Sequence, residues 1–159
     1  MTDINGRKKI MIVEDEEMLS QLYRIKFEKE NYVVKVCNNG MEAVTHVISF
    51  APDAILLDIM MPHMDGFETL RVIRELAPTL KAKIIMFSNL NNPLEIERCK
   101  KVGADAYLLK ATTTPGNAVA KVDELLAENE PELPAYHTHK DHIKCSCPHC
   151  GKKFDQEIT

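Results

Sequence analysis

One aspartate stands where an apolar run gives way to a loop, and two more acids occupy the same kind of position. Asp58 follows the apolar residues 54–57, and Glu14 and Asp15 follow residues 10–13. The carboxyl ends of parallel strands meet at one edge of an open α/β sheet, so we expect the three carboxylates to lie close together. Such a cluster needs a cation, and oxygen ligands with room for water favour Mg²⁺.

A hydroxyl and an ammonium group follow two further apolar runs. Ser88 comes directly after residues 84–87, and Lys110 comes directly after residues 106–109. In phosphoryl transfer a carboxylate can act as the nucleophile, while a metal ion and a lysine neutralise the charge that develops on the phosphoryl oxygens. The sequence therefore predicts phosphoryl-transfer chemistry at Asp58, with Lys110 and Ser88 as supporting groups.

Five short apolar runs must position these residues, and longer segments of helical period separate them. The runs are residues 10–13, 32–36, 54–57, 84–87 and 106–109. Runs of this length with polar residues at both ends are typical of strands that are buried on both faces. The alternation predicts an α/β fold in which a βα unit repeats five times along a parallel sheet.

The segments between the runs carry the signals of helices. Two of them have an apolar stripe at helical spacing, formed by Met18, Leu22 and Ile25 in the first and by Ala118, Val122 and Leu125 in the last. Residue types that cap helices occur at the expected places. Asp65, Asn92 and Thr114 are candidate caps at helix starts, and Gly103 is a candidate cap at a helix C-terminus. The fifth helix is expected to end near residue 128.

Length and composition indicate one domain with an appendage. The chain has 159 residues, of which 45% are hydrophobic and 28% charged, and a formal net charge of -4. That charge gives no overall electrostatic reason to bind nucleic acid or an anionic membrane. No apolar stretch approaches the roughly 18 residues that cross a bilayer, and residues 1–9 are polar, so we expect a cytoplasmic protein.

Taken in order along the chain, the site residues resemble those of the receiver domain of two-component response regulators. The resemblance covers about residues 8–128. It implies a flavodoxin-like fold, with a doubly wound parallel sheet of strand order 2-1-3-4-5. Because neither a helix-turn-helix pattern nor a basic stripe follows this region, we expect a single-domain receiver of the chemotaxis type with no DNA-binding output.

The resemblance also implies a role for each site residue. Asp58 corresponds to the phosphoacceptor, and the loop after it matches at Pro62 and Gly66. Mg²⁺ would be held by the carboxylates of Asp15 and Asp58 and by the main-chain carbonyl of Met60. Glu14 would act through water. The implied catalytic and switch residues are Ser88, Tyr107 and Lys110.

A signalling switch, not an enzyme, is the function that the resemblance implies. Asp58 would accept a phosphoryl group from the phosphohistidine of a sensor histidine kinase or a phosphotransfer protein. Ser88 and Tyr107 would then reshape the face formed by the fourth helix, fifth strand and fifth helix, to which a downstream protein or a second copy of the chain binds. No membrane partner is expected.

Departures from the family pattern leave an alternative open. Lys110 is followed by Ala111 where the family usually has proline, and Ser88 is followed by Asn89 where a small residue is usual. A receiver-like protein-binding module that is never phosphorylated is therefore the second hypothesis. Two residues beyond the acceptor and the hydroxyl stand Met60 and Leu90, which offer no polar group to orient a hydrolytic water, so we expect a long-lived phosphoryl group.

The C-terminal part of the sequence is of a different kind. Residues 129–135 are rich in acids and proline and predict a linker, and residues 136–159 form a Cys/His-rich tail. Cys147 and Cys150 lie in a Cys-Pro-x-Cys-Gly motif that resembles the knuckle of zinc ribbons, and Cys145 adds a third sulfur.

The fourth zinc ligand would come from a histidine of the tail, and the candidates are His137, His139, His142 and His149. We take His142 as the candidate ligand. The second pair of cysteines that completes a zinc ribbon is absent from the sequence, so a compact site, zinc shared between two chains, and a reducible cluster remain alternatives. The motif also matches some thioredoxin-like oxidases, but here it follows a linker and not a strand.

Overall fold

Five strands and five helices alternate over residues 6–128, and the computed structural model describes these residues together with two short strands near the C-terminus. The first five strands are β1 (Lys9–Val13), β2 (Val33–Cys37), β3 (Ala54–Asp58), β4 (Lys83–Ser88) and β5 (Ala106–Leu109). The helices are α1 (Glu17–Lys29), α2 (Gly40–Phe50), α3 (Gly66–Leu76), α4 (Pro93–Val102) and α5 (Pro115–Ala127). Each predicted apolar run corresponds to one strand.

The five strands form one parallel sheet in the order β2-β1-β3-β4-β5. The predicted flavodoxin-like α/β fold and its strand order are confirmed. The pairing brings the ends of neighbouring strands to the same edge: Val13 lies beside Leu57, and Asp58 lies beside Phe87. Ser88 lies beside Leu109. The carboxyl ends of β1, β3, β4 and β5, which carry or precede the site residues, therefore lie side by side at one edge of the sheet.

Apolar side chains of the strands alternate between two hydrophobic layers, one on each face of the sheet. On one face Met11, Leu57 and Met86 pack with buried residues of α2, α3 and α4. On the other face Ile12 and Phe87 pack with buried residues of α1 and α5. Burial on both faces explains why β1, β3 and β4 read as continuous apolar runs in the sequence, whereas the edge strands β2 and β5 are largely half-buried.

The stripe predicted for α1 does not form its buried face, and that prediction was wrong. Met18, Leu22 and Ile25 are 84%, 52% and 51% exposed, whereas Tyr23 and Phe27 are buried against the sheet. Each of these aromatic side chains buries a large apolar surface, and the two rings, one turn apart, face the sheet together. The stripe predicted for α5 is buried as expected.

The predicted helix ends are confirmed. The side chains of Asp65, Asn92 and Thr114 each accept a hydrogen bond from a backbone N–H in the first turn of α3, α4 and α5. Gly103 ends α4 with a φ of 106°, which is in the left-handed region that glycine adopts without strain. The three N-terminal caps fix where α3, α4 and α5 meet the loops at the site edge of the sheet, and Gly103 ends α4 at the opposite edge, before β5.

Gly66 begins α3 at a point where the backbone after the acceptor passes very close. A Cβ atom at this position would lie 2.3 Å from the carbonyl oxygen of Asp58 and 2.7 Å from the Cα of Ile59. The N–H of Gly66 also donates to the carbonyl of Ile59 at 2.9 Å. Only glycine allows α3 to pack this tightly against the segment that carries Asp58.

The two further strands are β6 (Cys145–Ser146) and β7 (Lys153–Phe154), which pair antiparallel with Cys145 beside Phe154. The proposed linker, and the zinc ligands Cys147, Cys150 and His142 with the other tail histidines, lie outside the described residues. Within the part of the chain that is described, no helix has the length and apolar character needed to span a membrane.

We expect Gly66→Ala to lower the free energy of unfolding by about 2–3 kcal/mol, because the backbone atoms that a methyl group would meet cannot move aside as a side chain can. Urea denaturation followed by circular dichroism measures this change. Gly116→Ala in α5 is the matched control: its Cβ would meet nothing closer than 3.9 Å. Equal stability of the two variants would contradict the role given to Gly66.

Candidate functional site

The carboxyl edge of the sheet brings the predicted site residues together. Asp58 is the last residue of β3 and Ser88 the last of β4, and both are buried. Glu14 follows β1 and is also buried, while its N–H still donates to the carbonyl of Cys37 in β2 at 3.1 Å. Lys110 follows β5, and its N–H donates to the carbonyl of Ser88 at 2.8 Å. Regular strand pairing therefore sets the site's geometry.

Three carboxylates form an acidic cluster at this edge. Glu14, Asp15 and Asp58 each offer one oxygen, and these oxygens lie within 4.8 Å of one another. Glu14 and Asp58 are buried, but Asp15 is exposed. Oδ1 of Asp58 also accepts a hydrogen bond of 3.1 Å from the N–H of Met60. The cluster thus has a protein side and a side that is open to solvent.

The ammonium group of Lys110 lies between the two buried carboxylates. Its Nζ is 2.7 Å from Oε2 of Glu14 and 3.0 Å from Oδ2 of Asp58. The same atom lies 5.4 Å from the centroid of the Phe87 ring, and the side chain is only 12% exposed. Lys110 is therefore a half-buried cation whose position is determined by two acids and an aromatic face.

The electrostatics of the cluster show that one cation does not balance it. Burial raises the pKa of Glu14 to about 7, Lys110 opposes this rise and the charge of Asp58 adds to it. Burial also raises the pKa of Asp58. Burial by itself would lower the pKa of Lys110, yet its hydrogen bond to Glu14 and the charge of Asp58 raise it above the ordinary value. Further positive charge would stabilise the ionised acids.

The donor set fits Mg²⁺. The ligands are hard oxygens, and the exposed position of Asp15 leaves room for the water molecules that Mg²⁺ retains in protein sites. A divalent cation supplies the positive charge that Lys110 alone does not. The structure places Met60 next to the cluster through its N–H, and the use of its main-chain carbonyl as a ligand stays a prediction.

Ser88 and Tyr107 are connected through a single residue of the loop after β4. Oγ of Ser88 accepts a hydrogen bond of 3.2 Å from the N–H of Leu90. The hydroxyl of Tyr107 donates to the carbonyl of the same residue, and its half-buried ring packs against the core layer of α2, α3 and α4. A movement of Ser88 would therefore be transmitted directly to the backbone that holds Tyr107.

Two aromatic neighbours of the site were missed in the sequence. Phe87 lies beneath the ammonium of Lys110, and Tyr23 packs edge-on against Phe87 with ring centroids 5.0 Å apart. The Tyr23 hydroxyl donates to the carbonyl of Thr113 at 2.9 Å. The signal for Tyr23 was its spacing of four from Phe27, but the aliphatic stripe on the opposite side of α1 obscured it.

Comparison with known proteins identifies the family. A sequence model described as "Response regulator receiver domain" matches residues 10–122. The chain therefore belongs to the response regulator receiver domain family. Receiver domains take part in phosphorelay signalling with histidine kinases or phosphotransfer proteins, and they bind Mg²⁺ through an acidic pocket of the kind formed here by Glu14, Asp15 and Asp58.

Individual relatives are similar over the same region. The phosphate regulon transcriptional regulatory protein PhoB of Rhizobium meliloti is 36% identical over 125 residues, which is 79% of this chain and 55% of that protein. Chemotaxis protein CheY of Halobacterium salinarum is 32% identical over 120 residues, 76% of this chain and 98% of that one. The chain thus spans about half the length of PhoB and nearly all of CheY.

A solved structure shows the same fold. The CheY-like response regulator receiver domain protein of Methanospirillum hungatei superimposes with a TM-score of 0.71 at 28% sequence identity. The superposition covers 77% of this chain and 95% of that one.

Proposed function

We propose that this chain is a phosphorylation-dependent switch in which Asp58 accepts a phosphoryl group and the modified protein changes its affinity for a partner. The single observation that carries the proposal is the convergence of Glu14, Asp15 and Asp58 with Lys110 at one edge of the sheet. The donor is the phosphohistidine of a sensor histidine kinase or of a phosphotransfer protein, as membership of the family supports.

In the proposed reaction a carboxylate oxygen of Asp58 attacks the phosphorus in line with the leaving nitrogen. The new P–O bond forms an acyl phosphate as the P–N bond of the phosphohistidine breaks, and the imidazole nitrogen keeps the electron pair and takes up a proton. Lys110, at hydrogen-bond distance from Asp58, binds a phosphoryl oxygen. Asp15, Asp58 and the Met60 carbonyl, with Glu14 acting through water, would hold Mg²⁺, which would neutralise charge on the phosphoryl oxygens.

The proposed output begins at Ser88. When its hydroxyl turns to a phosphoryl oxygen, Ser88 gives up the hydrogen bond that it accepts from the N–H of Leu90. Leu90 also accepts the hydroxyl of Tyr107, so the change reaches the face formed by α4, β5 and α5. Phosphorylation thereby shifts the equilibrium between two arrangements of this face, and the downstream partner binds the altered one.

Incubation with acetyl phosphate and Mg²⁺ is expected to add one phosphoryl group to the chain, as measured by intact mass. Asp58→Asn should remove the modification, because no other carboxylate at the site lies at a strand end beside Lys110 and Ser88. Chelation of Mg²⁺ should slow it strongly, and Lys110→Ala should slow it as well. Glu97→Gln, which removes one exposed acid of α4, is the control and should react as the natural chain does.

If the natural chain stays unmodified in this experiment, the second hypothesis applies and the protein is a receiver-like binding module that is never phosphorylated. The same acidic cluster and lysine would then serve only to fix the edge of the sheet. Binding of a partner would in that case be the same with and without a phosphoryl donor.

The phosphorylated form is expected to be long-lived. Met60 is largely exposed and Leu90 half-buried, and neither side chain can orient a water molecule for attack on the phosphorus. Replacing Met60 by Asn and Leu90 by Glu should speed loss of the phosphoryl group by about tenfold or more, because a polar group would then position that water. Decay of the phosphorylated mass after removal of the donor measures the rate, and an unchanged rate would exclude this explanation.

We further propose that residues 136–159 bind zinc through Cys145, Cys147, Cys150 and a histidine for which His142 is the candidate. Two observations support this: the Cys-Pro-x-Cys-Gly spacing, and the antiparallel pairing of β6 with β7, which flank that motif. Two thiolates at this spacing can bind one metal ion, and a structural zinc site is completed by two further ligands. The element would dock a partner or a second copy of the chain, without binding DNA.

Metal analysis of the purified protein is expected to find about one zinc ion per chain. Cys147→Ser and Cys150→Ser should each reduce the zinc content strongly, because a closed site needs all four ligands. Ser146→Ala lies in the same segment and is the control that should leave the zinc content unchanged. A chain that ends at residue 135 should hold none. Equal and negligible zinc in the full and shortened chains would overturn the proposal.

A further inference from the structure

The loop between β5 and α5 begins with Lys110 and continues with Ala111, where the family usually has proline. The N–H groups of Thr112 and Thr113 both donate to the carbonyl of Leu109, at 3.1 and 3.0 Å. These hydrogen bonds are local and shape the turn, but they do not attach it to another element. Proline's restriction of the backbone is also missing, so another anchor is needed if the loop is to be rigid.

Tyr23 of α1 supplies an anchor from outside the loop. Its hydroxyl donates to the carbonyl of Thr113 at 2.9 Å. On the other side of the lysine, the N–H of Lys110 donates to the carbonyl of Ser88 at 2.8 Å. Lys110 is thus bracketed by one hydrogen bond to β4 and, three residues later, one hydrogen bond to α1.

The ring of Tyr23 also acts on Lys110 indirectly, through Phe87. It packs edge-on against Phe87, with an interplanar angle of 66°, and the Phe87 ring lies beneath Nζ of Lys110. Tyr23 is 2% exposed. Burial, with the charge of Glu14, raises its pKa to about 12, so the hydroxyl is protonated at neutral pH and can donate. A phenylalanine would fill the same space without attaching the loop.

We propose that Tyr23 is a positioning residue for Lys110: its hydroxyl anchors the loop that lacks proline, and its ring supports Phe87 beneath the ammonium. The kinetic part of this inference depends on the proposed phosphorylation of Asp58. Without the hydroxyl, the Thr113 carbonyl loses its partner and the loop moves more freely. Lys110 then spends less time between Glu14 and Asp58, where it neutralises the phosphoryl oxygens.

Tyr23→Phe tests the hydroxyl alone, and Tyr32→Phe is the matched control. Tyr32 is also buried, and its hydroxyl donates to Asp123 of α5. With acetyl phosphate and Mg²⁺, we expect Tyr23→Phe to slow phosphorylation by about fivefold, the effect of one lost hydrogen bond. Tyr32→Phe should react at the rate of the natural chain.

A double-mutant cycle separates positioning of Lys110 from a general structural effect. In a Lys110→Ala background, Tyr23→Phe should no longer change the phosphorylation rate, because the group that it positions is gone. Amide hydrogen exchange of Thr112 and Thr113 should be faster in Tyr23→Phe and unchanged in Tyr32→Phe. Equal slowing in both backgrounds, or the natural rate in Tyr23→Phe, would overturn the inference.

The two proposals fail in distinguishable ways. If the natural chain is not phosphorylated at all, the proposed function fails, and hydrogen exchange still measures whether the hydroxyl anchors the loop. Unchanged exchange in Tyr23→Phe overturns the anchoring in either case. If the natural chain is phosphorylated and Tyr23→Phe behaves like Tyr32→Phe in both measurements, only the inference about Tyr23 is lost.

Discussion

The site depends on one half-buried ammonium group, that of Lys110, placed between two buried carboxylates. Removing charges from water costs several kcal/mol per ion, and only close pairing with good geometry offsets that cost. Lys110 meets this condition with Glu14 and Asp58, which come from different strands. The carboxyl ends of β1, β3 and β5 must therefore stay in register for the site to exist. The hydrophobic layers on both faces of the sheet, and the capped helices that cover them, maintain that register.

Strand positions and the fold were predictable because a strand buried on both faces leaves a continuous apolar run, and here polar residues follow four of the five runs. The site residues Asp58, Ser88 and Lys110 were found by the same signal, since each directly follows such a run. The contacts among them were not predictable in the same way. Glu14 and Lys110 follow strands that are not neighbours in the sheet, so their 2.7 Å contact depends on strand order, twist and side-chain length together.

The error on α1 has a physical cause that applies to amphipathic helices in general. A helix with aliphatic side chains on one side and aromatic ones on the other has two candidate faces, and periodicity alone does not choose between them. In the structure Tyr23 and Phe27 face the sheet. Their rings pack in the same hydrophobic layer as Phe87, and the Tyr23 hydroxyl donates a hydrogen bond to the carbonyl of Thr113. Ring burial and a hydrogen-bond partner for the Tyr23 hydroxyl both favour this orientation of α1, and the hydrogen bond is invisible in a hydrophobic pattern.

The parallel order of the sheet also has a consequence for the time at which the acceptor becomes competent. Asp58 ends the central strand β3, but its cationic partner follows β5, the last strand of the five-stranded sheet to be synthesised. Contacts between residues far apart in sequence form late and slowly in folding. A chain that has been synthesised only as far as β4 has the aspartate without the lysine, and β4 without its partner β5. Completion of the site is thus tied by topology to completion of the five-stranded sheet.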